Sequence, residues 1–348
     1  MQIALSKGER GQQAQWIGVK MLMQWPANPM DGSVTYAAPK KMAEEILATL
    51  RQWLAKGMVS HRELRSTTGR LSWVAGIVPR LRWAVSVLFA VLRDAEEDDR
   101  SGAEEQRAAK RQDTRPKFGL VAVKRFGATL RWLVAVLERT DGLALRREDL
   151  REKPVSMGIL SDASPKGLGA VLVAVRPSSN ELLIMEAYEA KFTNSEAKLL
   201  GVEYGESSSQ GILESLAILR AVKVWRTRLQ DRAVFIRSDS VVALAMTRQL
   251  SSSSQALNHL GGELAIALEE YNVARLVPQH ISGVMNLEPD WLSRPHDRSE
   301  DPPPSLKKIR IKQLPPIKVD DFAIFPPGAK QGAWEGLPPH NVSVFHSM

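Results

Sequence analysis

Four acidic residues stand where carboxylates could do chemistry: Asp162, Glu214, Asp239 and Asp290. Asp162 ends the apolar run of "ILSDASPKGLGAVL" (159–172) and is followed by Pro165, Gly167 and Gly169, while Asp239 ends a second apolar run in "AVFIRSDS" (233–240). Glu214 lies between Leu213 and Leu216 in "SSSQGILESLAILRAVKVW", and Asp290 opens "LEPDWLSR". Each has an ordinary reading taken alone. Asp162 and Asp239 would be strand-end turn residues, Glu214 a solvated helix residue, and Asp290 a first-turn acid facing the helix dipole. Jointly they ask for more, because two of them end buried-type strands and one sits on a largely apolar helix. Carboxylates gathered at one sheet edge repel one another unless cations lie among them. Two magnesium ions would meet that need, with manganese as a substitute, and metal-assisted hydrolysis is the chemistry open to such a set.

The elements that must position these acids follow from periodicity. From Val155 onward, "VSMGILSDA", "LGAVLVAV" and "ELLIMEAYEA" predict three strands with short turns, and the whole stretch reads βββ, α, β, α, α, β, α. That order implies an α/β mixed sheet of five strands with flanking helices. The preceding third is helical. Pro39 suits a first helical position, Ile46, Leu50 and Trp53 recur on one face, and Gly57 closes the helix. Ser60 and Glu63 match a capping box, Pro79 stops the helix they start, and a third helix is expected over about residues 81–93. Trp73 and Trp83 read as core. The charged run 93–113 reads as a linker or a solvated helix, and the Pro-rich stretch after Pro295 as a disordered or loosely docked tail, with Lys307, Lys308, Arg310 and Lys312 as solvated cations.

Composition narrows the function classes. A chain of 348 residues with 44% hydrophobic and 25% charged residues has a globular balance and room for two domains. The absence of cysteine excludes thiol nucleophiles and cysteine-ligated zinc, so any metal must sit on oxygen or imidazole. A net charge of +8 favours a polyanionic partner. No apolar run is long enough for a membrane span and the amino end lacks a signal-peptide pattern, so an intracellular protein, cytoplasmic or nuclear, is expected.

The order and surroundings of "ILSDASPKGLGAVL", "ILESLAIL", "FIRSDSVVAL" and "HISGVMNLEPDWLSR" resemble the ribonuclease H domain of retroelement reverse transcriptases. The last motif, with Gly283, Asn286, Asp290, Leu292, Ser293 and Arg294, is the most specific piece. The resemblance spans about 155–295 and implies a ribonuclease H-like fold. It also implies two-metal hydrolysis of the RNA strand of an RNA·DNA hybrid, with Asp162 bridging both ions, Glu214 and Asp239 on the leaving-group side, and Asp290 on the nucleophile side. Upstream, residues 16–95 are similar to the segment that follows the polymerase active site. The implied organisation is the end of a palm (1–35), a helical thumb-like region (36–95), a linker or connection (96–154), the ribonuclease H-like domain (155–295) and the tail (296–348). Lys56, His61, Arg62, Arg65 and Arg70 would then track a duplex backbone, with solvated helix faces as the plain alternative, and Asn286 and Arg294 would join the contact. The Tyr-x-Asp-Asp hairpin of a polymerase is missing: "AEEDDRSG" is a charge run and "IKVDDFAIF" lies in the tail. No DNA synthesis is expected of this chain, which reads as the carboxy-terminal part of a polyprotein with an upstream polymerase as partner. A further departure is the loop "GVMN", which lacks the histidine that cellular ribonucleases H carry there; His280 precedes the glycine. The alternative to an enzyme is a catalytically silent nucleic-acid-binding protein derived from a retroelement.

Overall fold

Helix periodicity in the first third and strand-type runs after Val155 fold into two separate units, Met1–Glu152 and Lys153–Met348. The structure is a computed structural model that describes residues 13–16, 19–24, 32–108, 119–139, 145–149, 155–296 and 301–324.

In the first unit, strands β1 (Gln13–Trp16), β2 (Val19–Gln24) and β3 (Ser33–Ala37) form an antiparallel meander. Helix α1 (Lys40–Lys56) buries Ala43, Ile46, Leu50 and Trp53 and ends at Gly57, whose φ of 72° is the left-handed conformation glycine adopts freely. Strand β4 (Met58–Ser60) leads into α2 (His61–Ile77), where Ser60 and Glu63 form the expected capping box. Helix α3 (Arg82–Ala108) buries Trp83 against Trp132, with ring centroids 4.7 Å apart. It runs past the expected end near residue 93 to Ala108, so the first part of the charged run takes the helical of its two readings. Strand β5 (Leu120–Ala122) pairs with β4, α4 (Gly127–Arg139) packs on α1, and β6 (Leu145–Asp149) joins the first sheet beside β3. Of the stretch expected as linker or connection, the described residues 96–108, 119–139 and 145–149 thus form helix and strand of this unit.

The second unit is built on strands β7 (Met157–Ser164), β8 (Gly167–Val175) and β9 (Leu182–Lys191), an antiparallel meander as expected. Helix α5 (Asn194–Leu200) starts at a second capping box, Thr193 with Glu196. Helices α6 (Gln210–Val224) and α7 (Arg226–Leu229) lead to β10 (Ala233–Ser238), α8 (Val241–Gln249) and α9 (Gln255–Glu270), then β11 (Arg275–His280) and α10 (Leu287–Ser293). Strand β12 (Ile311–Leu314) completes one mixed sheet of order β11-β10-β7-β8-β9-β12. The α/β class holds, with six strands in place of five.

The sixth strand corrects the reading of the tail. Proline flanks hid an alternating "IRIKQL" that pairs in parallel with β9. Before it, Leu306 packs on one face of the sheet with Leu160, Val171, Phe235 and Leu292. After it, Phe322 packs on the other face with the residues of α6 and α9. Residues 301–324 thus wrap one flank of the sheet. Polar groups hold this strap: Arg220 donates to the carbonyl of Pro315, Glu196 accepts from the N–H of Ile317 at 2.9 Å, and Lys223 donates to the carbonyl of Asp321 at 2.8 Å.

Candidate metal centre

Strands β7 and β10 are adjacent and parallel, with Leu160 opposite Arg237, so both chains deliver the residues that follow to the same edge of the sheet. Asp162 sits near the end of β7 and Asp239 just after β10. Glu214 reaches the same place from the second turn of α6, which packs on β7. One carboxylate oxygen from each of the three acids lies within 4.8 Å of the others. Three segments far apart in sequence have therefore converged on one point.

Two of the three acids are buried, while Asp239 reaches the surface, and the site is crowded. Asp162 is 7% exposed and Glu214 3%. Burial is the main force raising the Asp162 carboxyl to about 6, assisted by repulsion from Asp290 and Asp239 and opposed by a hydrogen bond from Ser293. Burial likewise pushes Glu214 up to about 8, with repulsion from Asp162 adding to it and bonds from Gln210 and Ser238 opposing it. Ser293 Oγ donates to Asp162 Oδ2 at 2.7 Å, Ser238 Oγ to Glu214 Oε2 at 3.2 Å, and Gln210 Nε2 to Glu214 Oε1 at 3.0 Å. Asp239 Oδ1 is buried and accepts no hydrogen bond among the described residues. A buried carboxylate oxygen without a donor, beside two carboxyls that resist ionising, fits a hard divalent cation held by oxygen.

Asp290 stands slightly apart. Its charge reaches Asp162, but its own Oδ1 accepts from Arg294 Nε at 3.0 Å and Nη2 at 2.6 Å, so acid and arginine form a pair. Asn286 is not placed as a surface contact for nucleic acid. It is 1% exposed, and its amide donates to the Ser161 carbonyl at 3.0 Å, which ties α10 to β7. In the first unit, Lys56 and Arg62 are exposed, whereas Arg65 pairs with Glu96 and Arg70 lies 3.4 Å from Glu45. The loop after β11 turns Val284 and Met285 out to solvent where a histidine was missed, and His280 is exposed at the end of its strand.

No family model and no curated protein sequence matches this chain. Among solved structures it is similar to LC11-RNase H1, isolated from compost by a metagenomic approach and solved in complex with an RNA/DNA hybrid. Identity there is 21% over 39% of this chain and 92% of that one, with a TM-score of 0.30. The RNase H1 of the halophilic archaeon Halobacterium salinarum NRC-1 shows 14% identity over 39% and 92%, with a TM-score of 0.27. A foamy viral protease-reverse transcriptase in complex with double-stranded DNA shows 11% identity over 77% of this chain but only 38% of its own length, with a TM-score of 0.27.

Two features of the site went unread in the sequence. The hydroxyls of Ser238 and Ser293 and the amide of Gln210 serve the carboxylates, yet serine and glutamine next to an acid are too common to signal it. The glycines of "SPKGLG" do more than turn the chain. A Cβ on Gly169 would lie 2.5 Å from Leu292 Cβ and 2.6 Å from both the Pro289 carbonyl and the Ser293 N, and one on Gly167 would lie 2.4 Å from the Ser293 carbonyl. Helix α10 rests directly on the backbone of β8 because those side chains are missing, and this approach brings Ser293 onto Asp162. Gly283 plays a similar part beside Asp239, where a Cβ would lie 3.0 Å from Oδ2.

Proposed function

We propose that the second unit is a divalent-metal-dependent ribonuclease, ribonuclease H-like, that hydrolyses the RNA strand of RNA·DNA hybrids as part of a retroelement reverse transcriptase. The observation that carries this reading is the convergence of Asp162, Glu214 and Asp239 within 4.8 Å at the ends of two parallel strands and a helix. These three would hold one magnesium ion, for which manganese substitutes. A second would involve Asp162 with Asp290, once Asp290 yields its Arg294 bonds. Bound ions supply an activated water for attack at phosphorus and neutralise charge on the leaving oxygen.

The chain's own residues do the rest. Ser238 and Gln210 fix the orientation of Glu214 by hydrogen bonds to its two carboxylate oxygens. Glu214, raised to about 8, holds a proton at neutral pH that it gives up as positive charge approaches. Arg294, freed from Asp290, has a fork suited to a phosphate of the bound strand. Lys56 and Arg62 offer phosphate contacts in the first unit, and Arg65 and Arg70 could exchange their acid partners for phosphates. Selection of the RNA strand would rest on its 2′-hydroxyls. An upstream polymerase domain is the partner this reading implies.

The Asp290–Arg294 pair favours the second reading, a catalytically silent binding protein, because it engages one acid of the four. Cleavage of a labelled RNA·DNA hybrid in magnesium separates the two. Hybrid-specific cleavage that disappears in Asp162→Asn, with duplex DNA left intact, is the expected result. A folded wild type that binds hybrid and leaves it whole would favour the silent reading.

A further inference from the structure

Ser293 is fully buried, and its single hydroxyl hydrogen faces two acceptors: Asp162 Oδ2 at 2.7 Å and the Asp290 carbonyl at 2.9 Å. A serine in the last turn of a helix normally satisfies itself by bonding back to the carbonyl three or four residues earlier. Here that default is available, and the geometry nonetheless brings in a carboxylate from another element at the shorter distance. The placement is held from three sides. Ser164 Oγ donates to the Ser293 carbonyl at 2.6 Å, which latches the end of α10 to the end of β7. Gly167 and Gly169 let the α10 backbone sit on β8 with no side chain between. Asn286 ties the start of the same helix to the Ser161 carbonyl.

We infer that Ser293 is a positioning residue: its hydroxyl holds one oxygen of Asp162 so that the other is presented to a metal ion shared with Glu214 and Asp239. The inference rests on the metal-dependent reading of the site. Serine suits the task for a geometric reason: its hydroxyl, fixed at the buried end of α10, donates to Asp162 Oδ2 at 2.7 Å and keeps that carboxylate from turning away. An alanine at 293 leaves the helix in place and frees the Asp162 side chain to rotate.

The test is a titration of the full chain with Mn2+, followed by electron paramagnetic resonance of the free ion, for wild type, Asp162→Asn, Ser293→Ala and Ser305→Ala. Ser305→Ala is the control, because it removes an exposed hydroxyl that donates to Glu288 of the same helix at 2.6 Å and touches neither Ser293 nor the clustered acids. The expected result is strong binding in wild type, loss in Asp162→Asn, and an affinity lower by roughly 10- to 100-fold in Ser293→Ala, the usual range for partners that orient a ligand. Ser305→Ala should keep the wild-type affinity. If Ser293→Ala binds as wild type does, or if Ser305→Ala loses as much, the inference fails while the metal reading stands. If wild type binds no Mn2+, the metal reading fails and the inference with it. Should the alanine variant not fold, Ser293→Cys retains most of the volume with a weak S–H donor and must show reduced affinity.

Discussion

Asp162 and Glu214 are held in their crowded positions by the fold, and that opposition can be measured. In the ion-free protein Glu214 titrates at about 8, against 4.5 for an ordinary glutamate. Between those values the folded chain holds a proton that the unfolded chain has already released, so stability falls as pH rises through the window. Asp162 behaves the same way between 3.8 and about 6. His259 works in the opposite direction at the acid end, since burial lowers it to about 3 and folding then excludes a proton that the unfolded imidazole binds. Between pH 6.5 and 8 the drop has a share from Glu214 and a share from Glu263, whose buried carboxyl is also raised, so the Glu214 share is read as the difference from a variant at 214. With a chelator present, the thermal midpoint of wild type should drop across that interval by about 2–4 °C for each kcal/mol lost. Glu214→Gln, which cannot ionise but can still accept from Gln210 through its oxygen while its amide donates to the Ser238 hydroxyl, should reduce the drop and abolish cleavage. A wild-type drop no larger than the variant's would mean the carboxylate is not crowded. At this scale the sequence was informative about acids and poor about cations. A strand-end aspartate after an apolar run has few places to go, whereas the partners of Arg65 and Arg70, Glu96 and Glu45, come from other helices and leave no local trace.

Helix α10 and strand β8 show what elements contribute. Their contact is backbone on backbone, so Gly169→Ala must push the helix outward by overlap with Leu292 and the Pro289 carbonyl. The expected cost is about 1–3 kcal/mol in urea unfolding, typical of overpacking. Cleavage should fall further than stability explains, because Ser293 and Asp290 ride on the displaced helix. A variant with wild-type stability and activity would show that the contact is dispensable. The same device explains a second oddity. Gly261 in the middle of α9 costs helix propensity, but a Cβ there would lie 2.9 Å from the Leu250 backbone, so the glycine lets α9 pack on the turn after α8. Element types from β7 to α10 were legible from periodicity. Three were not: α5 has seven residues and α7 four, too few for a helical pattern to show, although Thr193 and Glu196 mark the start of α5. Strand β12 was masked by the prolines around it.

For the whole molecule, the position of the strap changes where the second unit ends. Removing residues after 295 strips Leu306 and Phe322 from both faces of the sheet and takes away β12. It also exposes the buried Arg220–Glu196 pair and the Lys223–Glu263 pair, which the strap covers and hydrogen-bonds. Buried charges that lose their partners are costly. A chain truncated at 295 should therefore unfold at a markedly lower temperature than one ending at 324, or fail to stay in solution. Equal melting of the two would show that the strap is only laid on. The motifs that end at Arg294 gave no hint of this, because catalytic patterns record chemistry and the strap contributes packing.

The strap also governs how molecules meet one another. An open sheet edge recruits strands from neighbouring chains, and long regular edges do so most readily. Strand β9 is ten residues long and would be such an edge. In its place the sheet presents four-residue β12, with Lys312 within it and Pro315 and Pro316 directly after, while the opposite flank is β11, interrupted by Pro278. Short length, a cation and proline on one side, and proline on the other, leave little purchase for edge-to-edge assembly. Residues 311–316 thus give the sheet an edge of the kind that resists pairing with another chain, a consequence no substrate would reveal.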